Sequence, residues 1–209
     1  MGESSDDDRY FIHDIFQDIF MKIILASQSP RRKQLLEWAE VDFEIIVKPT
    51  DESWPAELAV AEIPIHIARN KALAIAAEHP YQDQFPVLAA DTVVVLGNEI
   101  IGKPAHAEEA IEILSRLSGR RHEVITGVVI HHKDQEICFA DTTEVWFHEL
   151  TPEQIRFYVE KYKPYDKAGA YAIQEWIGVT GIERINGDFY NVMGLPVSRV
   201  VQALKQLAF

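Results

Sequence analysis

Apolar positions along the chain fall into two periods, one of about two residues and one of 3.6, and the switches between them outline the fold. Lys22 to Ala26 reads as a short strand. Ser29-Pro30 follows it and opens a helix, with proline at its favoured first position and Leu35 and Leu36 further along. Phe43 to Val47 predicts a second strand, and a polar loop past Trp54 leads to a helix from Ile63 to Ala77. Val87 to Leu96 is apolar almost throughout, as in a buried strand, apart from Asp91. Gly97-Asn98 offers a turn back into a returning strand at Ile100-Ile101, and Ala107 to Leu117 is an amphipathic helix. Glu123 to His132 and Glu136 to Phe147 alternate like two long antiparallel strands around Lys133-Asp134. Thr151-Pro152 starts a helix through Lys161, and a last helix spans Pro196 to Leu207. Between them lies a glycine-rich stretch, Gly169 to Asn191, with no element assigned. Strands alternating with helices, plus one long hairpin, predict an α/β fold with a mixed sheet and no internal repeat.

Composition narrows this picture. At 209 residues and 47% hydrophobic, the chain can bury a sizeable core without staples. Its single cysteine, Cys138, excludes an intramolecular disulfide, and no Cys/His pairs stand at zinc spacing. There is no apolar run of membrane-spanning length and no basic-then-apolar leader, so a cytoplasmic protein without a membrane partner is expected. A formal charge of −13 argues against a nucleic-acid surface. Part of the excess sits in Met1 to Phe20, where six acids face only Arg9. There Phe11, Ile12, Ile15, Phe16, Ile19 and Phe20 recur at helical spacing. The plain reading is an appended extension over 1–20, acidic then amphipathic, with the functional domain at 21–209.

Four clusters carry candidate chemistry. Ser27-Gln28-Ser29-Pro30-Arg31-Arg32 joins a strand end to a helix start, and its free N–H groups, hydroxyls and guanidinium groups suit phosphate oxygens. The alternative is an ordinary first turn, with Ser29 as N-cap and Arg31 and Arg32 solvated, although cations there oppose the helix dipole. Asp91, in Ala90-Asp91-Thr92, is an acid in an apolar strand, a placement that is costly unless the carboxylate is paired or binds a metal. It is a candidate for catalysis or a structural acceptor, and Glu52 could join it as a second oxygen ligand. Gly97, Gly102 and Lys103 mimic a P-loop, but Pro104 stands where Mg²⁺ would need a hydroxyl, which leaves Lys103 as a point charge. Asp166 to Gln174 and Ile185 to Pro196 combine small residues with Lys167 and the Gln174 amide.

Other chemistries find no support. There is no dinucleotide fingerprint and no Gly-x-Ser-x-Gly elbow. Ser118-Gly119-Arg120-Arg121-His122 is a basic turn of little weight by itself. His122, His131 and His132 are read as solvated residues of a polar strand face, because their spacing fits no zinc site.

Taken together, these clusters resemble the Maf family of nucleotide pyrophosphatases, related in fold to the inosine triphosphate pyrophosphatases, over Met21 to Leu207. The matching segments are Ser27 to Arg32, Ala90-Asp91-Thr92, Gly102-Lys103-Pro104, Ser118 to Gly127, Lys167 to Gln174 and Gly187 to Pro196. The resemblance implies a mixed twisted sheet with flanking helices, and two lobes around a deep cleft. It implies hydrolysis of nucleoside triphosphates to the monophosphate and pyrophosphate, with Mg²⁺ or Mn²⁺ as cofactor. Asp91 is then the catalytic proton acceptor and, with Glu52, a metal ligand. Arg31, Thr92 and Gln174 would influence substrate choice, while Ser27, Arg32, Lys71, Lys103 and Lys167 would line the phosphate region. Pro30 is followed directly by Arg31, without the aromatic residue of the 7-methyl-GTP type, which favours dTTP and UTP over 7-methyl-GTP or modified nucleotides. A nucleotide-binding regulator of septum formation without turnover is the reading from another class. A homodimer is compatible with the sequence, which does not choose an oligomeric state.

Overall fold

The computed structural model describes residues 22–77 and 84–207. The amphipathic stretch expected over Phe11 to Phe20 lies outside them. In chain order the elements are β1 (Ile23–Leu25), α1 (Pro30–Trp38), β2 (Phe43–Ile45), α2 (Ile63–Ala76), β3 (Val87–Leu96) and β4 (Glu99–Ile101). They continue as α3 (Ala107–Leu117), β5 (Arg121–His132), β6 (Gln135–Phe147), α4 (Pro152–Tyr162) and a 3-10 turn at Ala168–Ala170. The chain then forms α5 (Trp176–Gly181), β7 (Ile182–Asn186), α6 (Phe189–Met193) and α7 (Val197–Leu207). No helix among the described residues is long and apolar enough to cross a membrane.

One mixed seven-stranded sheet runs in the order β2-β1-β3-β5-β6-β7, with β4 also paired to β3. Its middle is built from the apolar runs. β3 pairs antiparallel with β5 from Val87↔His131 to Val95↔Glu123, and β5 pairs with β6 along its whole length. Lys133, at the hairpin turn, takes the left-handed conformation at φ 53°. Leu88, Ala90, Val94 and Leu96 join the main core, which takes in Leu35 and Leu36 of α1, Leu114 of α3, Tyr158 of α4 and Val200 of α7. Val87 and Ala89 point the other way and pack with Ala68, Ala72 and Ile75 of α2. This is the alternation expected of a strand buried on both faces.

The other edge of β3 is shared by two short strands. β1 pairs in parallel at Val87 and Leu88, and β4 pairs antiparallel at Val94 to Leu96. Residues 89–93 lie between these ladders, so the chain leaving β1 and the chain leaving β4 diverge beside Asp91 and Thr92. Gly127, opposite Asp91 on β5, lets α2 come close. A Cβ there would lie 2.2 Å from the backbone nitrogen of Ile65, a contact that only glycine avoids.

Two expectations are corrected. Gly169 to Asn191 is not without elements, since it holds α5, β7 and the start of α6, and β7 extends the sheet beyond β6. These elements are too short to show a period. The histidines are not uniformly solvated either: His122 is 1% and His132 7% exposed. His122 Nε2 lies 2.7 Å from the Tyr171 hydroxyl, and Phe147 and Tyr171 pack edge-on against the ring. Burial pushes its pKa down to about 4, so the imidazole is neutral at physiological pH.

Candidate active site

Where β1 and β4 part from β3, a cavity of about 620 Å³ opens. Its walls include Ser27, Arg31, Arg32, Glu52, Lys71, Asp91, Thr92, Lys103 and Lys167, which come from six separate stretches of sequence. The pleat of β3 divides their work. Asp91 faces the α2 side with Ala89, and Thr92 faces the main core with Ala90 and Val94.

On the α2 side, Lys71 Nζ lies 2.8 Å from Asp91 Oδ1 and 2.7 Å from Glu52 Oε1. One ammonium thus holds a strand carboxylate and a loop carboxylate together, which answers the cost of placing Asp91 in an apolar strand. The hydrogen bond from Lys71 outweighs the effect of partial burial and holds the Glu52 carboxyl below the usual range. Glu52 is therefore available as an oxygen donor at neutral pH. Two carboxylates held together in this way suit a hard divalent cation, with water and phosphate oxygens completing its shell. Among the described residues no group of three or more acid, histidine or cysteine side chains could hold such a cation without that help.

On the Thr92 side the centre is Arg32, 9% exposed, which overturns the reading of a solvated first turn. Its Nε donates to the Gly194 carbonyl at 2.8 Å, Nη1 to Ser27 Oγ at 3.0 Å and Nη2 to Thr92 Oγ1 at 3.1 Å. A guanidinium carries five N–H donors, so two are left over for another acceptor. Desolvation lowers the Arg32 pKa, while the nearby Asp91 charge opposes that shift. Ser27 Oγ also accepts from the Ser29 backbone N–H at 3.2 Å. Ser29 is the N-cap of α1 by position, but its side chain caps nothing. The serine turn is folded around Arg32.

The support for Arg32 extends across the sheet. Thr92 Oγ1 and Thr126 Oγ1 lie 2.9 Å apart, and Thr126 donates to the Asn191 carbonyl at 3.2 Å. Asn191, fully buried, donates through Nδ2 to the Val124 carbonyl and to Thr143 Oγ1. These bonds tie the 189–194 turn, and so the Gly194 carbonyl, to β5 and β6. Gly194 sits at φ 116°, where a side chain would be strained. Thr126 and Asn191 lie inside segments that the sequence singled out, yet an uncharged residue that holds another in place gives no signal of its own.

Asp166 completes the wall. Arg31 Nη1 meets its Oδ2 at 3.0 Å and Lys167 Nζ its Oδ1 at 2.7 Å. Lys167 also stands 3.6 Å from Glu175 Oε1, and Glu175 accepts from the Tyr158 hydroxyl. Gln174 is not among the residues of the cavity wall. It is only partly exposed, and its Oε1 is buried without a hydrogen-bond partner among the described residues.

The chain is similar to known proteins over most of its length. The chain is 50% identical over 185 residues to the dTTP/UTP pyrophosphatase of Cytophaga hutchinsonii, covering 88% of this chain and 84% of that protein. It is 49% identical to the dTTP/UTP pyrophosphatase of Parabacteroides distasonis, over 88% of this chain and 95% of the relative. For the protein of the same name from Porphyromonas gingivalis the values are 47%, 88% and 93%. The family described as Maf-like protein matches residues 22–207, the whole of the sheet with its flanking helices, and the chain belongs to the Maf family.

Proposed function

We propose that this protein hydrolyses UTP and dTTP to the monophosphate and pyrophosphate by attack of water on the α-phosphorus. The observation that carries the reading is the pairing of Asp91 and Glu52 on Lys71 in a cavity that also holds Arg31, Arg32, Lys103 and Lys167. A cavity that only bound a polyanion would gain nothing from two carboxylates, whereas one that must activate water needs a base. The names of the relatives supply the substrate: proteins about half identical over nearly the whole chain are dTTP/UTP pyrophosphatases.

In this mechanism the cationic wall binds and orients the triphosphate, with Arg32 as its fixed point because three of its donors are already anchored. Asp91 takes the proton from the attacking water, and Lys71 holds the carboxylate in place for that transfer. Pyrophosphate leaves, and the negative charge that grows on it in the transition state is met by Lys103, Lys167 and the arginines. Glu52 and Asp91 would hold Mg²⁺ or Mn²⁺. When bound, that cation supplies Lewis-acid polarisation of a phosphoryl oxygen and lowers the pKa of water.

The experiment is product analysis with UTP and Mg²⁺. UMP and pyrophosphate should appear together from the first time point. If UDP and orthophosphate come first, attack is at the γ-phosphorus and the reading falls.

A further inference from the structure

The cavity contains one carboxylate with no part in this chemistry. Asp166 lines the wall, and its side chain is 56% exposed. It is not grouped with Glu52 and Asp91 as a third oxygen ligand, because no cluster of three such groups exists among the described residues. An acid on the wall of a site for a polyanion repels the ligand unless it has work to do. Its two oxygens are divided between two cations on different segments: Oδ2 binds Arg31, in the first turn of α1, and Oδ1 binds Lys167, beside the 3-10 turn. Burial raises the Asp166 carboxyl, but the hydrogen bonds from Lys167 and Arg31 together outweigh it and hold the group below the usual range.

We propose that Asp166 is an exchange partner: Arg31 and Lys167 trade its carboxylate for phosphate oxygens when the triphosphate enters, and return to it as pyrophosphate leaves. The inference rests on the function proposed above. In the protein alone, Asp166 holds the Arg31 and Lys167 side chains at the cavity wall, and the ligand must displace its carboxylate to reach them. With ligand present, it competes for the same donors and so limits how tightly the product is held. Asp166 is therefore a positioning residue whose removal should strengthen binding of the product, whereas a merely structural acid would weaken it.

Inorganic pyrophosphate is the probe, with Kd measured by calorimetry on the full chain and kcat and KM measured with UTP. Asp166→Asn and Asp166→Ser should bind pyrophosphate about two- to fivefold more tightly than wild type, the upper part of the range for a surface ion pair. KM for UTP should fall and kcat should not rise. Asp166→Glu, which keeps the charge, should stay nearer to wild type. In an Arg31→Gln background the gain from Asp166→Asn should shrink, because one of the two traded contacts is already gone. Equal or weaker pyrophosphate binding in folded Asp166→Asn and Asp166→Ser overturns the exchange. A wild type that neither binds pyrophosphate nor releases it from UTP overturns the function on which the inference rests.

Discussion

Lys71 Nζ lies 2.8 Å from Asp91 Oδ1, an ion pair that ties α2 to β3 on the α2 face of the sheet. In the proposed mechanism Asp91 is the base, and the pair fixes its orientation from a helix. Asp91→Asn keeps the size of the side chain and loses the base. Its kcat should fall by about a hundredfold or more, the scale of general-base catalysis, with an unchanged circular dichroism spectrum. A folded variant with wild-type kcat would remove Asp91 from the mechanism.

A second expectation concerns acid stability. His122 is buried neutral, with its pKa pushed down by desolvation from the ordinary 6.5 to about 4. Between those two values the unfolded chain takes up the proton and the folded chain does not, so stability falls as pH drops through this window. Below about pH 4 both states bind the proton and the loss levels off. His122→Phe retains an aromatic ring beside Phe147 and Tyr171 and removes the titration. Thermal melts from pH 7 to pH 4 should show a shallower decline in the variant, and parallel declines would mean that other groups govern the acid limb.

How much of this was legible in the sequence follows the strength of each local signal. The bounds of β3 and α3 match the periodicity because both are long and strongly patterned. The segment 169–191 hid a strand and two short helices, since elements of five or six residues complete less than two turns or three pleats. His122 misled because an imidazole on an alternating strand counts as polar, while the Tyr171 that covers it arrives from 49 residues away. At the site, residues defined by charge against their surroundings stood out: Asp91 in its apolar run, and the arginines after Pro30. The partners did not. Arg32 is held by a carbonyl 162 residues away, and any residue at position 194 would present one. Asp166 was visible beside Lys167, but nothing local tells that its other oxygen reaches Arg31.

Gly127→Ala tests how α2 is seated. An added Cβ would meet the Ile65 nitrogen at 2.2 Å and the Pro64 carbonyl carbon at 2.3 Å, backbone atoms that cannot rotate away. The helix must shift, and Lys71 shifts with it. Destabilisation of about 2 kcal/mol or more is expected, with a loss of kcat at temperatures where the variant is still folded. A drop in melting temperature with kcat intact would show that the Lys71 contact tolerates movement of its helix.

Removal of residues 1–20 should leave kcat/KM within a few-fold. Every residue placed on the cavity wall lies between Ala26 and Gly194, and the first strand begins at Ile23. Activity of the purified truncation is the direct measurement. A large loss in a folded protein would give the extension a part in completing the site or an interface.

The last expectation concerns the base. UTP and dTTP should exceed ATP, GTP, CTP and 7-methyl-GTP in kcat/KM by roughly tenfold or more, about 1.4 kcal/mol. Gln174 follows closely on Tyr171 and Ala172, which line the cavity, and its buried Oε1 has no hydrogen-bond partner among the described residues. A buried acceptor left unpaired is costly, and the ring N–H of uracil or thymine is the donor that would satisfy it. Cytosine has no hydrogen on that ring nitrogen, and purines are larger. Because Gln174 is not itself part of the wall, this reading requires the 171–174 segment to turn toward the base on binding. Gln174→Ala should therefore narrow the ratio of UTP to CTP turnover more than it lowers UTP turnover. Paired competition assays on wild type and variant decide it: an equal loss on every nucleotide would make Gln174 a packing residue and leave base selection to Arg31 and Thr92.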